Sequence, residues 1–292
     1  MNDSAALSNK KKKKYSVSRL HDRTSTTLLT VALVIICIIY LFPLLWFVLS
    51  SFKPGSELFA YPLTIFPKNP TFNNFKEAWT SLDFIRYFGN TLIAAVGTTV
   101  LTVLASATCG YAFAKYNAKW LRFFFVCIIA TTMLPTEVIM NPTFTVIRSL
   151  GLYDNLAGII IPSINTATGI FMFRTFFVSV PDDLMESARV DGASDGTIFF
   201  KIMLPIARPI IMTLSIFSFQ WRWNDYIWPL IVLNDPKKYT LQVALRSLVG
   251  AENINWTILI AASVISIIPI LLVFIVFQRY ILDSGATTGL KD

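Results

Sequence analysis

The sequence predicts an all-α integral membrane protein, with six transmembrane helices and a helix hairpin on the cytoplasmic side. Three observations carry that expectation. First, 54% of the 292 residues are hydrophobic and only 14% are charged, against roughly a quarter charged in soluble domains; mean hydropathy is +0.60. Second, apolar stretches close to or beyond the ~20 residues that span a bilayer recur along the chain, separated by polar connections. Third, the net charge of +8 is unevenly spread, with Lys10 to Lys14 forming a run of five before Arg19 and Arg23.

Residues 1–24 are rich in Ser, Asn and Lys and are expected to be a disordered, basic cytoplasmic tail that orients the first span. Residues 25–292 are expected to form one transmembrane domain. Thr27 to Leu49 is the first span, too long for a secretory segment and with no small-x-small cleavage site after it. Ser50 to about Asp83 carries four prolines, paired Asn73 and Asn74, and aromatics such as Phe59 and Trp79. That composition forbids a span and suits an outer interfacial loop.

Tyr87 to Ala114 is the second span, rich in the small residues that let membrane helices pack closely. Lys115, Lys119 and Arg122 mark an inner connection. The third span runs from about Phe123 to Ile147, interrupted by Pro135 and Pro142. Glu137 between them faces a cavity, a partner or the outer interface. Gly151 to Asn155 is an outer turn. The fourth span, about Leu156 to Val178, contains Gly158, Pro162, Gly169 and several hydroxyl residues, a poor rod and a good cavity wall. The fifth covers about Ile206 to Leu233 and the sixth about Trp256 to Tyr280, with the polar Asn234 to Asn255 outside between them. Six spans place both termini on one side. Sixteen Lys and Arg then lie on inner segments against eight on outer loops, so both termini are expected in the cytoplasm.

Several chemistries are excluded. Cys37, Cys109 and Cys127 are an odd set inside apolar stretches, unsuited to a disulfide framework or a metal site. His21 is the only histidine, so a histidine-based catalytic or zinc site has nothing to be built from. No Walker-type phosphate loop is present. No cofactor or metal is expected on this chain.

Two polar stretches remain. Pro181 to Pro209 reads as two short helices. Asp182 or Asp183 caps the first, with Glu186 in its opening turn, and Gly192 ends it with positive φ. Ser194 or Asp195 caps the second, and Pro205 and Pro209 open a long apolar helix. In span five, Phe219 to Leu230 places Arg222 and Asp225 three apart on one helical face, where they can pair, with Gln220 and Asn224 on a neighbouring face. Trp221, Trp223 and Trp228 either stack on a sugar or form an interfacial belt. The candidate solute-path residues are therefore Glu137, Gln220, Arg222, Asn224, Asp225 and Trp228.

Glu186-Ser187-Ala188, three residues, Gly192, nine residues and Ile202-x-Leu204-Pro205 resemble the EAA loop of binding-protein-dependent ABC importer permeases. Ser187 replaces the family's middle Ala. Asp191-Gly192-Ala193, Trp223-Asn224-Asp225-Tyr226, Trp228-Pro229-Leu230, Asn73-Asn74-Phe75 and Gln278-Arg279-Tyr280 are similar to the carbohydrate-importer branch. The likeness covers most of 25–292 and leaves the lysine tail outside.

The resemblance implies a multi-pass permease subunit of a prokaryotic cell membrane, whose hairpin, about 181–205, couples to an ATPase. By resemblance, the coupling residues are Glu186, Ser187, Ala188, Asp191, Gly192, Ala193, Leu204 and Pro205. It further implies a homologous second permease, two ATPase subunits that hold ATP and Mg, an extracytoplasmic solute-binding protein and a mono- or oligosaccharide cargo. No catalytic residue is implied on this chain, and no nucleic acid. The alternative is a secondary transporter or channel driven by an ion gradient, for which only Glu137 and Asp225 supply carboxylates at depth.

Overall fold

Every regular element among the described residues is a helix. The structure is a computed structural model. It describes residues 3–81, 83–249 and 254–286, with side chains for 25–80, 83–249 and 254–278. Two units divide the chain, Met1–Asn74 and Phe75–Asp292, and each has its own internal logic.

In the first unit, α1 (Asp3–Ser50) is one helix that begins within the basic tail and continues through the first expected span. Once the apolar stretch Ser25–Ser50 is nucleated, extension costs little, and Ala, Leu, Lys and Arg are good helix formers. The side chains of the lysine run lie outside the described residues. After α2 (Gly55–Leu58) the chain reaches the start of α3 (Asn73–Ser81).

The proline-rich segment between α2 and α3 is stitched by polar groups rather than loose. Lys53 is fully buried, donates from Nζ to the Thr64 carbonyl, and lies 5.8 Å from the centre of the Trp46 ring. Glu57 accepts from the N–H of Lys68 at 2.7 Å and of Asn69 at 3.3 Å. The Lys68 bond is the main reason its carboxyl is held below the ordinary range. The buried Asn74 amide donates to the carbonyls of Ser51 and Lys53, each at 2.8 Å. These bonds satisfy backbone carbonyls and N–H groups in a segment whose prolines preclude a regular ladder.

In the second unit the central element is α4 (Phe84–Lys115), 32 residues and about 48 Å at 1.5 Å per residue. Around it run α5 (Lys119–Ala130), α6 (Thr136–Ser149), α7 (Ala157–Ile160) and α8 (Ala167–Ser179). The hairpin is α9 (Asp183–Val190) and α10 (Asp195–Ile198). A π-helical turn, Phe199–Met203, leads into α11 (Leu204–Ile206) and α12 (Arg208–Trp223). The chain closes with α13 (Ile227–Val232), α14 (Leu241–Val249) and α15 (Trp256–Ala286).

The core is α4 packed on α8 and α12, with α12 also against α15. The buried face of α4 includes Ala94, Ala95, Thr98, Thr102, Ser106, Ala107 and Gly110, the small-residue seam the sequence predicts. At Gly110 a Cβ would stand 2.5 Å from the Phe173 Cβ and 2.9 Å from the Arg174 backbone N. The α4–α8 crossing therefore requires the missing side chain.

Three helices are long and apolar enough to cross a bilayer as they stand: Ser25–Ser50, Phe84–Lys115 and Trp256–Gln278. Three broken pairs pass the same test, two of them over the expected third and fourth spans and one joining α10 to the first part of the expected fifth. Lys119–Met133 and Thr136–Ser149 meet at 114°, Ala157–Ser163 and Ala167–Ser179 at 42°, and Asp195–Ile206 and Arg208–Trp223 at 74°. Six crossings result if each pair is one span. Pro135 accounts for the sharpest break: it removes a helical N–H, and Leu134 before it is extended at ψ 127°. Span five is also shorter than expected. α12 stops at Trp223, and helix resumes only at Ile227.

Residues 234–255, expected to be a polar external connection, contain α14. Its Leu241, Val243, Ala244 and Leu245 are buried, with Leu241 and Leu245 in one cluster with Phe84, Trp223 and Ala261. The helical spacing of Leu241, Ala244, Leu245 and Leu248 carried that signal.

Candidate functional site

The hairpin is anchored by one buried lysine. Lys115 ends α4 with its side chain only 4% exposed. Its Nζ donates to the Val180 carbonyl at 2.6 Å and to Asp182 at 2.7 Å. The expected acidic helix cap is thereby corrected. Asp182 stands at the N-cap, but its carboxylate serves Lys115 and makes no capping bond. A buried ammonium needs an anion more than a helix end needs a cap. Asp183 and Glu186 lie in the first turn, where they favour the helix through its dipole.

The turn itself follows the sequence. Gly192 has φ +84°. Its N–H bonds to the Arg189 carbonyl, and the Ala193 N–H bonds to the Ala188 carbonyl at 2.9 Å, a Schellman ending. Ser194 then caps α10 by accepting from the Thr197 N–H. Asp195 joins Arg189 at 3.1 Å, which raises the affinity of that guanidinium for its proton. Met185, Ala188, Ile198, Phe199 and Met203 pack with Ala107, Tyr111, Phe173 and Phe177 of α4 and α8. The Tyr111 ring meets Phe199 at 5.1 Å and its hydroxyl reaches the Met185 sulfur at 3.5 Å.

Of the residues expected to couple, Glu186, Ser187, Asp191, Gly192 and Pro205 are exposed, Ala193 and Leu204 half-buried, and Ala188 buried. Exposed Leu184, Val190 and Phe200 accompany them, and no atom lies within 4 Å of a Cβ built on Gly192 or Gly196. Lys115 was missed because it reads as an ordinary flanking charge.

The three helix breaks of α5–α6, α7–α8 and α12–α13 line a single cavity of about 460 Å³. Thr131, Thr132 and Thr136 come from the first break, Ser163 and Thr166 from the second, and Arg222, Asp225 and Trp228 from the third. Arg222 donates to Asp225 at 2.6 Å and to Ser163 at 2.9 Å. The predicted pair thus forms, but not along one helical face. Asn224 is the C-cap of α12, so Asp225 reaches back across the helix end.

The other expected path residues separate. Gln220 and Asn224 are exposed and off the cavity wall. Glu137 is exposed in the first turn of α6, also off the wall. Trp223 is fully buried, its indole N–H on the Ser266 carbonyl at 2.9 Å. Trp228 contributes to the wall while its N–H is held by the Gly158 carbonyl at 3.2 Å. The fully buried Trp223 offers no open face for stacking, and Trp221 is exposed. Ser163 and Thr166 lie in the span read as a cavity wall from its hydroxyls, whereas the threonines of 131–143 were missed, although hydroxyls recurring in an apolar stretch are the same signal.

Beyond the cavity a clamp joins two loops. Asp154, at φ +56°, accepts from Lys238 Nζ at 2.6 Å and from the N–H groups of Asn234 and Asp235. The Lys238 bond, then those N–H groups, pull its pKa down to about 2. Among the described residues no group of three or more His, Cys, Asp or Glu could hold a metal ion.

Residues 103–284 match the family described as the binding-protein-dependent transport system inner membrane component. The chain is 37% identical to the arabinooligosaccharides transport system permease protein AraQ of Halalkalibacterium halodurans, over 90% of this chain and 95% of that protein. It is 32% identical to the diacetylchitobiose uptake system permease protein NgcG of Streptomyces coelicolor, over 90% and 88%. Among solved structures, it matches a bacterial ABC transporter involved in the import of the acidic polysaccharide alginate. There the TM-score is 0.81 at 28% identity, covering 89% of this chain and 97% of that one.

Proposed function

The chain belongs to the family of inner-membrane components of binding-protein-dependent transport systems, and from that premise we propose that it carries a mono- or oligosaccharide across the membrane. It is a permease subunit of an ABC importer. In the proposed assembly it pairs with a homologous permease, two ATPase subunits holding ATP and Mg, and an extracytoplasmic solute-binding protein. Six spans and cytoplasmic termini put the α9–α10 hairpin on the ATPase side. The chain itself has no catalytic role; hydrolysis belongs to the partners.

One observation supports this reading most: the hairpin and the cavity are built on the same helices. α4 and α8 carry the hairpin's apolar seat and Lys115, while α8 and α12 begin or end at the cavity. Movement of the hairpin on ATPase closure would pull on α4 through Lys115 and on α12 through the continuous turn Phe199–Met203. The breaks at the cavity are where such a pull changes shape, because broken helices hinge where intact ones resist. Exposed Glu186, Val190 and the open space at Gly192 suit docking into a groove on the ATPase.

The test is uptake by the reconstituted importer in proteoliposomes. Transport should require hydrolysable ATP and the binding protein. Uptake that persists on an ion gradient with the ATPase inactive would sink the proposal in favour of a secondary transporter.

A further inference from the structure

The cavity wall has a hydrogen-bonding polarity that the transport reading leaves unused. Thr131, Thr132 and Thr143 donate their hydroxyl protons to their own helices, to the carbonyls of Ile128, Ile129 and Ile139 at 2.6, 2.7 and 2.8 Å. Ser163 likewise donates to Ile159 at 2.8 Å. Each hydroxyl has one proton, so these oxygens can only accept from a ligand. Donors come from the Asn165 amide, from the hydroxyls of Thr136, Thr166 and Thr168, and from Arg222, which spends Nη1 on Asp225 and Ser163 and makes no other hydrogen bond among the described residues. Among the described residues, Arg222 and Asp225 are the only ionisable ones on the wall, and their charges cancel.

Building on the permease reading, we propose that this cavity is a subsite for a neutral polyhydroxyl solute, and that Asp225 excludes anionic ones by holding the charge of Arg222. A sugar hydroxyl donates to a threonine oxygen and accepts from the remaining Arg222 N–H groups. A carboxylate or phosphate brings a net negative charge to a wall whose own two charges cancel. To find a cation it must draw Arg222 from Asp225, leaving that carboxylate unpaired. The volume of about 460 Å³ falls within the ~300–1,000 Å³ of small-molecule sites, and admits a short saccharide rather than a polymer coil.

The probes are α-1,4-galactotriose and α-1,4-trigalacturonate, which differ by oxidation at C6. Binding of each to the assembled permease–ATPase complex in nanodiscs, without binding protein, is measured by calorimetry. The wild type should favour galactotriose at least tenfold. Asp225→Asn, which keeps the shape and frees the Arg222 charge, should cut that preference at least tenfold. The double variant Arg222→Gln with Asp225→Asn restores neutrality and should restore the preference, which separates charge from damage to the fold. Equal binding of both trisaccharides by the wild type, binding of neither, or a preference unchanged in Asp225→Asn overturns the proposal. ATP-dependent uptake of the importer's own solute is scored separately. Its absence counts against the permease reading, whereas uptake with an unchanged preference counts only against this subsite.

Discussion

The two ends of the α4–α8–α12 core are built on opposite rules. At the hairpin end, polar groups face out and apolar ones hold: Met185, Ile198, Phe199 and Met203 are buried, and one lysine is spent on anchoring. At the cavity end, helices break, hydroxyls point inward, and an ion pair stays partly open, with 23% and 15% of its two side chains exposed. The hairpin end resembles a protein interior; the cavity end resembles a binding surface folded inward. A stiff end can deliver displacement and a broken end can absorb it, so the contrast suits a coupler joined to a gate.

The comparison can be broken most severely at the seam shared by both ends. Gly110→Val places branched atoms where even a Cβ meets the Phe173 Cβ at 2.5 Å and Arg174 N at 2.9 Å. Overpacking typically costs 1–3 kcal/mol, and here the obstacle is backbone, so a cost of about 3 kcal/mol or more is expected. The check is thermal unfolding and yield of the detergent-solubilised complex. Wild-type yield and midpoint would contradict the close crossing.

Next in size is Lys115→Met, which keeps length and removes the charge. Hydrogen bonds to charged groups contribute about 1.5–3 kcal/mol. Because Asp182 is 69% exposed, its side of the loss is cushioned by water. Uptake should fall severalfold while ATP hydrolysis persists. A parallel fall in both would mean that Lys115 supports folding rather than linkage.

Gly192→Val should be milder for the fold. Positive φ costs a branched side chain roughly 1–2 kcal/mol, but open space surrounds the site, so no clash adds to the strain. The expected loss is in ATPase co-purification, with little change in unfolding midpoint. Gly192→Asn, which tolerates this conformation better, should lie between. If Gly192→Val co-purifies normally, the exposed turn is no docking element.

The smallest effect is the loop clamp. The folded pKa of Asp154 is lowered from 3.8 to about 2. Its stabilisation is therefore complete above its unfolded pKa, near 3.8, and is lost as pH falls through about 2. Asp154→Asn should lower the unfolding midpoint modestly at neutral pH, where the ionised clamp is fully present, and remove the loss of stability that the clamp causes between about pH 3.8 and 2, read from midpoints across pH. An unchanged acid limb would remove the clamp.

How much of this was legible depends on distance along the chain. The Schellman turn at Gly192, the Ser194 cap and the Arg222–Asp225 pair each lie within a few residues, and each was read from spacing. Where a local reading failed, a distant residue had outbid it. Asp182 was taken from its cap by Lys115, 67 residues away. Trp223, offered as a stacking or belt residue, was drawn into the interior by a carbonyl 43 residues on.

By itself the sequence determined the class, since only a membrane accommodates so much apolar helix with so few charges. It also determined the seam of small residues, the hairpin turn and the family motif, all of which are local patterns of volume, polarity and backbone freedom. The tertiary structure alone decided that three separate helix breaks meet in one cavity, which hydroxyl protons are already spent there, and which charged groups are paired. Those outcomes depend on which groups compete for the same donor or carbonyl in space, and no pattern along a single chain contains that competition.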